Sequence, residues 1–211
     1  MRIGIIGAGN VGNALATGWL AASHQIAFGI RDPFAAPRSG PTTGATYGSV
    51  AEAAQGADVV VLATPWPAVP DALAAAGSNL TGKVLIDCTN PLRIGEIGLE
   101  LEIGHTISGA ERVAALAPGA SVFKTLNQTG FANMEHARSF TPLPAVMYVA
   151  GDDEAKKPLV LSLASELGFQ AVDAGPLQIA RLLEPMAMLW IHMAINRGEP
   201  ISRAFAVTNR V

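Results

Sequence analysis

A chain of 211 residues, half of them hydrophobic, has enough apolar surface to bury a sizeable core, as one domain or as one domain with a helical extension. Only 15% of the residues are charged and the net charge is −3, which gives no electrostatic reason to expect nucleic acid or an anionic membrane as a partner. The single cysteine, Cys88, cannot form an internal disulfide and fits a reducing, cytoplasmic setting, and no apolar run reaches the length of a membrane span.

The first predicted strand, Arg2–Ile6, runs into the turn Gly7-Ala8-Gly9-Asn10-Val11-Gly12, which opens a small-residue helix over Asn10–Ala22. This strand, turn and helix are the setting a dinucleotide fingerprint requires. Gly7 suits the tight turn, Gly9 lets the backbone approach a pyrophosphate, and Gly12 lets the helix pack on the strand while its first amides face the phosphates. A cleaved leader is not expected, because the segment to be removed would contain the turn itself.

The second strand, Gln25–Gly29, ends as Gly29-Ile30-Arg31-Asp32. An NAD site places an acid at that strand end for the ribose hydroxyls, whereas an NADP site supplies Arg for the 2′-phosphate. Arg31 stands there, a guanidinium able to meet a phosphate with two parallel hydrogen bonds, and Arg38 could add a second charge. The pattern favours NADP; a strand one or two residues longer would bring Asp32 to the ribose and reverse the preference to NAD. Arg31 as a solvated charge paired with Asp32 is the bland alternative.

Further strands are predicted at Thr46–Tyr47, Asp58–Ala63, Lys83–Asp87, Ser121–Thr125, Ala145–Ala150 and Gln170–Asp173. Helices are predicted over Ser49–Gln55, Ala68–Ala76, Ile107–Ala117 and Asp153–Leu167, with a last long one ending near Asn196. The stretches Asp32–Gly48 and Asn90–Gly104 read as loops. Short apolar runs alternating with alanine-rich segments predict an α/β, Rossmann-type doubly wound, mostly parallel sheet. Residues 1–150 would form the NADP-binding domain, and 151–211 a C-terminal βα extension packed on the same sheet and carrying a dimerisation helix.

In that topology the carboxyl ends of the central strands border the ligand crevice. Thr64-Pro65-Trp66 would stand near the ribose and nicotinamide, with Pro65 stiffening the turn and Trp66 either offering a flat face or wedging under a helix. The ends Asp87-Cys88-Thr89-Asn90-Pro91 and Phe123-Lys124-Thr125-Leu126-Asn127-Gln128 bring carboxamides to the same rim, where Asn127 would contact the cofactor and Asn90 would contact a ligand or cap a loop. The four histidines are scattered, no cysteine cluster accompanies them and no Gly-x-Ser-x-Gly elbow appears, so neither a metal centre nor a nucleophilic triad is expected. His105 and Lys124 are the only rim candidates for acid–base work, and a structural role suits both better. Asp152, Asp153 and Glu154 suit a helix start.

Near the C-terminus, Leu182, Met186, Leu189 and Met193 form one apolar stripe, with Leu183, Ala187, Trp190 and Ala194 beside it. A helix apolar over so much of its circumference needs cover on two sides, its own sheet and a second subunit. Pro185 should start this helix afresh or kink it.

The glycine turn, the Gly29-Ile30-Arg31 strand end, Thr64-Pro65-Trp66, Gly151-Asp152-Asp153-Glu154-Ala155-Lys156-Lys157 and Asp173-Ala174-Gly175-Pro176-Leu177 through Arg181-Leu182 together resemble the NADP oxidoreductase, coenzyme F420-dependent family. The resemblance covers nearly the whole chain. It implies NADP(H) bound on a Rossmann sheet, a deazaflavin stacked on the nicotinamide, direct hydride transfer between the two rings, and a homodimer. By the same resemblance, Ala8, Gly9, Asn10 and Val11 cradle the pyrophosphate, Arg31 holds the 2′-phosphate, and Pro65 and Trp66 line the nicotinamide pocket. Ile30 replaces a Ser that the family often carries, and the segments Thr89–Gly119 and Lys124–Asn127 look like bacterial branches. The domain also resembles the cytosolic part of membrane ferric reductases, which use a flavin. The expected activity is therefore NADPH-dependent hydride transfer to coenzyme F420 or a flavin, with no catalytic acid or base assigned. Two other readings stay open: a small-molecule carbonyl or imine dehydrogenase, which would require a positioned Lys, Tyr or His, and a sensor that binds NADPH without turnover.

Overall fold

The computed structural model describes residues 1–32, 44–96 and 98–210. Arg38 lies outside them. The described residues form ten strands: β1 (Arg2–Ile6), β2 (Gln25–Gly29), β3 (Ala45–Gly48), β4 (Val59–Leu62), β5 (Val84–Asp87), β6 (Leu92–Gly95), β7 (Gly98–Leu101), β8 (Ser121–Lys124), β9 (Val146–Gly151) and β10 (Gln170–Gly175). The helices are α1 (Asn10–Ala21), α2 (Val50–Gly56), α3 (Val69–Ala76), α4 (Gly109–Leu116), α5 (Phe131–Glu135), α6 (Lys157–Glu166) and α7 (Ala180–Ile191), the last extended by a π-helical turn over His192–Asn196.

Eight strands make one sheet in the order β10-β9-β8-β5-β4-β1-β2-β3. All neighbours pair in parallel except β8 and β9, so the last two strands run against the other six. This is the mostly parallel, doubly wound sheet expected from the alternation of strands and helices, and the helices cover both faces. Side chains obey the two-residue period: Ile3, Ile5, Val59, Val61, Val84 and Ile86 enter a core shared with α1 and α6. Val60, Leu62 and Leu85 enter the opposite core, with Val50 of α2, Leu73 of α3 and Val113 of α4. Val59 through Leu62 are all fully buried, and each such side chain contributes roughly 1.5–3 kcal/mol by leaving water. Helix α1 is tied to α6 by the Trp19 indole, which donates to the Leu163 carbonyl at 3.0 Å.

Most elements fall within a few residues of expectation, with three differences. The segment Asn90–Gly104, read as a loop, contains the antiparallel hairpin β6–β7. The short helix α5 follows Gly130 in a stretch that gave no periodic signal. Helix α6 begins at Lys157 rather than Asp153, because Pro158 fits its first turn and Asp153 instead accepts from the Lys156 amide at 3.1 Å. Pro185 does not start α7 afresh: the helix begins at Ala180 and runs through it. Beyond α7 the chain returns along α5 and β9, where Arg203 O accepts from both Trp190 Nε1 and Asn133 Nδ2, and Val146 N donates to Phe205 O at 2.8 Å.

Candidate functional site

The site lies at the carboxyl ends of β1, β4 and β5, and its centre is the glycine turn. Gly7 sits at φ +113°, a conformation that L side chains rarely adopt, and a Cβ there would stand 2.5 Å from Ala63 O. A Cβ on Gly12 would stand 2.1 Å from Gly7 O, so only glycine lets α1 start this close to the strand. Gly9 is different: a Cβ there would meet no protein atom within 4 Å. Gly9 is the N-cap of α1 and no side chain caps that helix, so its first amides point outward with a positive dipole end behind them. The turn is anchored from below by Asn13 Nδ2, which donates to Ala8 O at 3.1 Å.

Two cavities flank the turn. The first, about 370 Å³, runs from Ile6, Gly7 and Ala8 past Gly29, Ile30 and Arg31 to small residues of α2 and α3, with Asp71 at its edge. The second, about 460 Å³, is walled by Gly9, Asn10 and Val11, by Thr64, Pro65 and Trp66, by Cys88, Thr89 and Asn90, and by Leu92 and Phe131. Thr64 belongs to both walls. Its Oγ is buried yet has no hydrogen-bond partner among the described residues, a cost that a ligand spanning the two cavities would remove. An elongated groove with a cap-free helix terminus at its middle and a guanidinium at one end is the shape and charge pattern of a dinucleotide phosphate, so the residues present fit NADP. Arg31 is exposed on the first wall.

The second cavity is set differently. The Trp66 indole donates to Glu102 Oε2 at 3.1 Å and lies against Gly109, where a Cβ would come within 3.2 Å of the ring. Trp66 is thus both wedge and wall. Behind Thr89 lies a group of buried charges that the sequence reading did not assemble. Lys124, with no exposed surface, donates to Asp87 Oδ2 at 3.0 Å, lies 3.1 Å from Glu184 Oε1 and donates to Thr89 O. Asp87 Oδ1 accepts from the Thr89 amide at 2.9 Å and from the Thr89 hydroxyl at 2.7 Å. Glu184 accepts from the amides of Gly109 and Ala110, the first two residues of α4. Burial pushes the Lys124 ammonium down, but the two carboxylates outweigh it and hold its pKa above the usual lysine value. Burial also raises the Cys88 thiol, with Asp87 adding to the effect, so the thiol stays protonated on the cavity wall. A signal for this cluster was present: Asp87 and Lys124 end adjacent strands in register, and Glu184 interrupts an apolar helix.

Asn127, expected to contact the cofactor, stands next to Asn90. Asn127 is not on either cavity wall. Its Nδ2 donates to Asn90 Oδ1 at 3.0 Å, its Oδ1 accepts from Gln128, and its carbonyl accepts from Asn90 Nδ2. It therefore orients Asn90, which is on the wall. Lys124 is wholly committed to structural partners, and His105 is exposed in the loop before α4, at φ +61°. The hairpin and α5, neither anticipated, supply Leu92 and Phe131. No helix among the described residues is long and apolar enough to cross a membrane.

The family model described as NADP oxidoreductase, coenzyme F420-dependent, matches residues 2–91, the span from β1 to the end of the β5 rim. A crystal structure from Arthrobacter sp. FB24, provisionally described as an F420-dependent NADP reductase, is 31% identical, superposes with a TM-score of 0.90, and matches over 99% of this chain and 100% of that one. The F420-dependent NADP reductase of Methanothermobacter thermautotrophicus is 28% identical over 99% of this chain and 95% of its own. The rat metalloreductase STEAP3 is 25% identical over 89% of this chain, which spans only 36% of that protein's length. Matched over 99% of its length by one such structure, and over its glycine turn and the first cavity's wall by the family model, the chain belongs to the NADP oxidoreductase, coenzyme F420-dependent family.

Proposed function

We propose that the chain is an NADPH-dependent reductase of coenzyme F420 or a related flavin-type acceptor. The observation that carries this reading is the composition of the second cavity: flat or apolar side chains (Trp66, Pro65, Leu92, Phe131) and, among the described residues, no His, Lys, Tyr or carboxylate on its wall. Reduction of a carbonyl or imine asks for a positioned proton donor, whereas transfer between two stacked rings asks the protein for orientation and exclusion of water. Bound NADPH would supply the hydride and the acceptor ring would receive it.

The chain's own residues do the rest. Ala8, Gly9, Asn10, Val11 and Gly12 offer main-chain amides to the pyrophosphate, Gly7 shapes the turn with its own amide bonded to Gly29 O at 3.0 Å, and Arg31 offers a fork to the 2′-phosphate. Thr64 places its unpartnered hydroxyl where the two halves of the cofactor meet. Pro65 and Trp66 hold the nicotinamide side, with Trp66 fixed by Glu102. The cavity is open toward the surface beside Phe131, which is 40% exposed and could meet the acceptor ring. A homodimer fits the same reading, because α7 buries Leu183 and Ala187 inward while Leu182, Leu189 and Met193 stay exposed.

The test is an anaerobic screen of the protein with NADPH against coenzyme F420, FMN, FAD and a panel of ketones and cyclic imines. Reduction of a deazaflavin or flavin with no turnover of the others is expected; reduction of imines alone, or no reduction of any acceptor, would overturn the reading. Light scattering across micromolar concentrations should give twice the chain mass, and a monomer would remove the dimer.

A further inference from the structure

Thr89 is the point on which the buried charges converge. Its amide and its hydroxyl both donate to Asp87 Oδ1, and its carbonyl accepts from Lys124. Lys124 has three protons, and three acceptors receive them: Asp87, Glu184 and Thr89 O. Asp87 spends its other oxygen on Lys124, and Glu184 spends both of its oxygens on Lys124 and the α4 amides. No other acceptor in the cluster is open to the Thr89 proton, and turning it away would cost Asp87 Oδ1, a buried carboxylate oxygen, one of its two donors.

A hydroxyl has one proton and two lone pairs. With its proton given to Asp87, the Thr89 hydroxyl can meet a ligand only as an acceptor. Thr89 stands on the wall of the second cavity between Cys88 and Asn90. The geometry points to Thr89 as a specificity-determining residue for the cofactor: its hydroxyl, held acceptor-only by Asp87, receives a hydrogen bond from the carboxamide N–H of the nicotinamide. Asp87, Lys124 and Glu184 act through it as positioning residues. The inference rests on the second cavity being the nicotinamide side, and it identifies the chemical edge that the cavity reads, a donor rather than an acceptor.

The experiment compares binding of NADP+ and its 3-acetylpyridine analogue, in which a methyl ketone replaces the carboxamide and removes both N–H groups, by isothermal titration without any acceptor. The intact protein should bind the analogue about three- to tenfold more weakly, the range a single neutral hydrogen bond supplies. Thr89→Val keeps the shape, removes the acceptor, and should bring the two ligands within about twofold of each other; Thr89→Ser should restore the difference. A Thr89→Val ratio equal to that of the intact protein, or no discrimination in the intact protein, overturns the inference. Failure of both ligands to bind would instead remove the NADP reading itself, so the two failures are distinguishable.

Discussion

The two cavities meet at Thr64 but are built by opposite means. The phosphate end is made by leaving side chains out: Gly7 and Gly12 let strand and helix close on each other, Gly9 leaves open space at the helix start, and one exposed arginine closes the far end. The other end is made by burying charge, with Asp87, Lys124 and Glu184 holding Thr89 from behind while the wall itself stays uncharged. Binding strength at the first end depends on groups that ligand and solvent both reach. Shape at the second depends on groups that neither reaches. Substitutions should therefore separate the two: changes at the charged cluster should act on stability, and changes on the exposed side of the turn should act on affinity.

The largest effect is expected from Lys124→Met. It leaves two buried carboxylates facing each other without a cation, and breaking a buried ion pair in this way costs about 3–5 kcal/mol. Urea denaturation should show that loss; a change below about 1 kcal/mol would mean that water or a neighbouring group replaces the ammonium. Next is Gly12→Ala, whose Cβ would press on the main-chain oxygen of Gly7 rather than on a movable side chain, at a cost of about 1–3 kcal/mol. It is the exception that sharpens the contrast, because this glycine serves packing as well as the ligand.

The same contrast explains what the sequence could and could not reveal. The glycine turn, Arg31 and the strands behind them are local: each residue's role follows from its neighbours in the chain, and Arg2–Ile6, Gln25–Gly29 and the start of α1 stand where the pattern puts them. The second cavity is assembled from five separate stretches, and Phe131 and Leu92 arrive there on a short helix and a hairpin that lack a clear period. Asn127 looked like a rim residue because it follows a strand end, but the partner that consumes it, Asn90, is 37 positions away. The acidic and basic ends of β5 and β8 were visible as residues. Their pairing became visible only with the strand register, and Glu184 joined them only when α7 packed over α4.

Two substitutions at the first cavity should change affinity and leave folding alone. Arg31→Ala removes an exposed guanidinium and should weaken NADPH by about tenfold or more, the effect of a charge-assisted hydrogen bond of roughly 1.5–3 kcal/mol, while NADH binding stays nearly constant. Equal loss for both cofactors would remove the 2′-phosphate role. Gly9→Ala places a methyl group where no protein atom is within 4 Å, so the melting temperature should hold while NADP+ affinity falls several-fold. An unchanged affinity would move the pyrophosphate off the turn.

The smallest effect is a pH dependence, and it belongs to the second region. Arg181 on α7 grips Glu111 on α4 with two hydrogen bonds, at 2.9 and 2.7 Å, and Ser108 adds the capping bonds. The guanidinium is the chief reason that the Glu111 carboxyl is lowered to about 2 from its usual 4.5. A carboxylate with a depressed folded-state pKa favours the fold fully above its unfolded value and loses that contribution as acid protonates it. Stability should therefore fall between about pH 4.5 and pH 2, and Glu111→Gln should flatten that part of the profile. The pair is partly reached by solvent, which limits the difference to about 1 kcal/mol. The turn from Gly7 to Gly12 carries no titratable side chain, whereas this acid-sensitive contribution lies at the contact between α4 and α7. A Glu111→Gln profile parallel to that of the intact protein across this window would place the acid sensitivity elsewhere and leave the α4–α7 clamp without its electrostatic part.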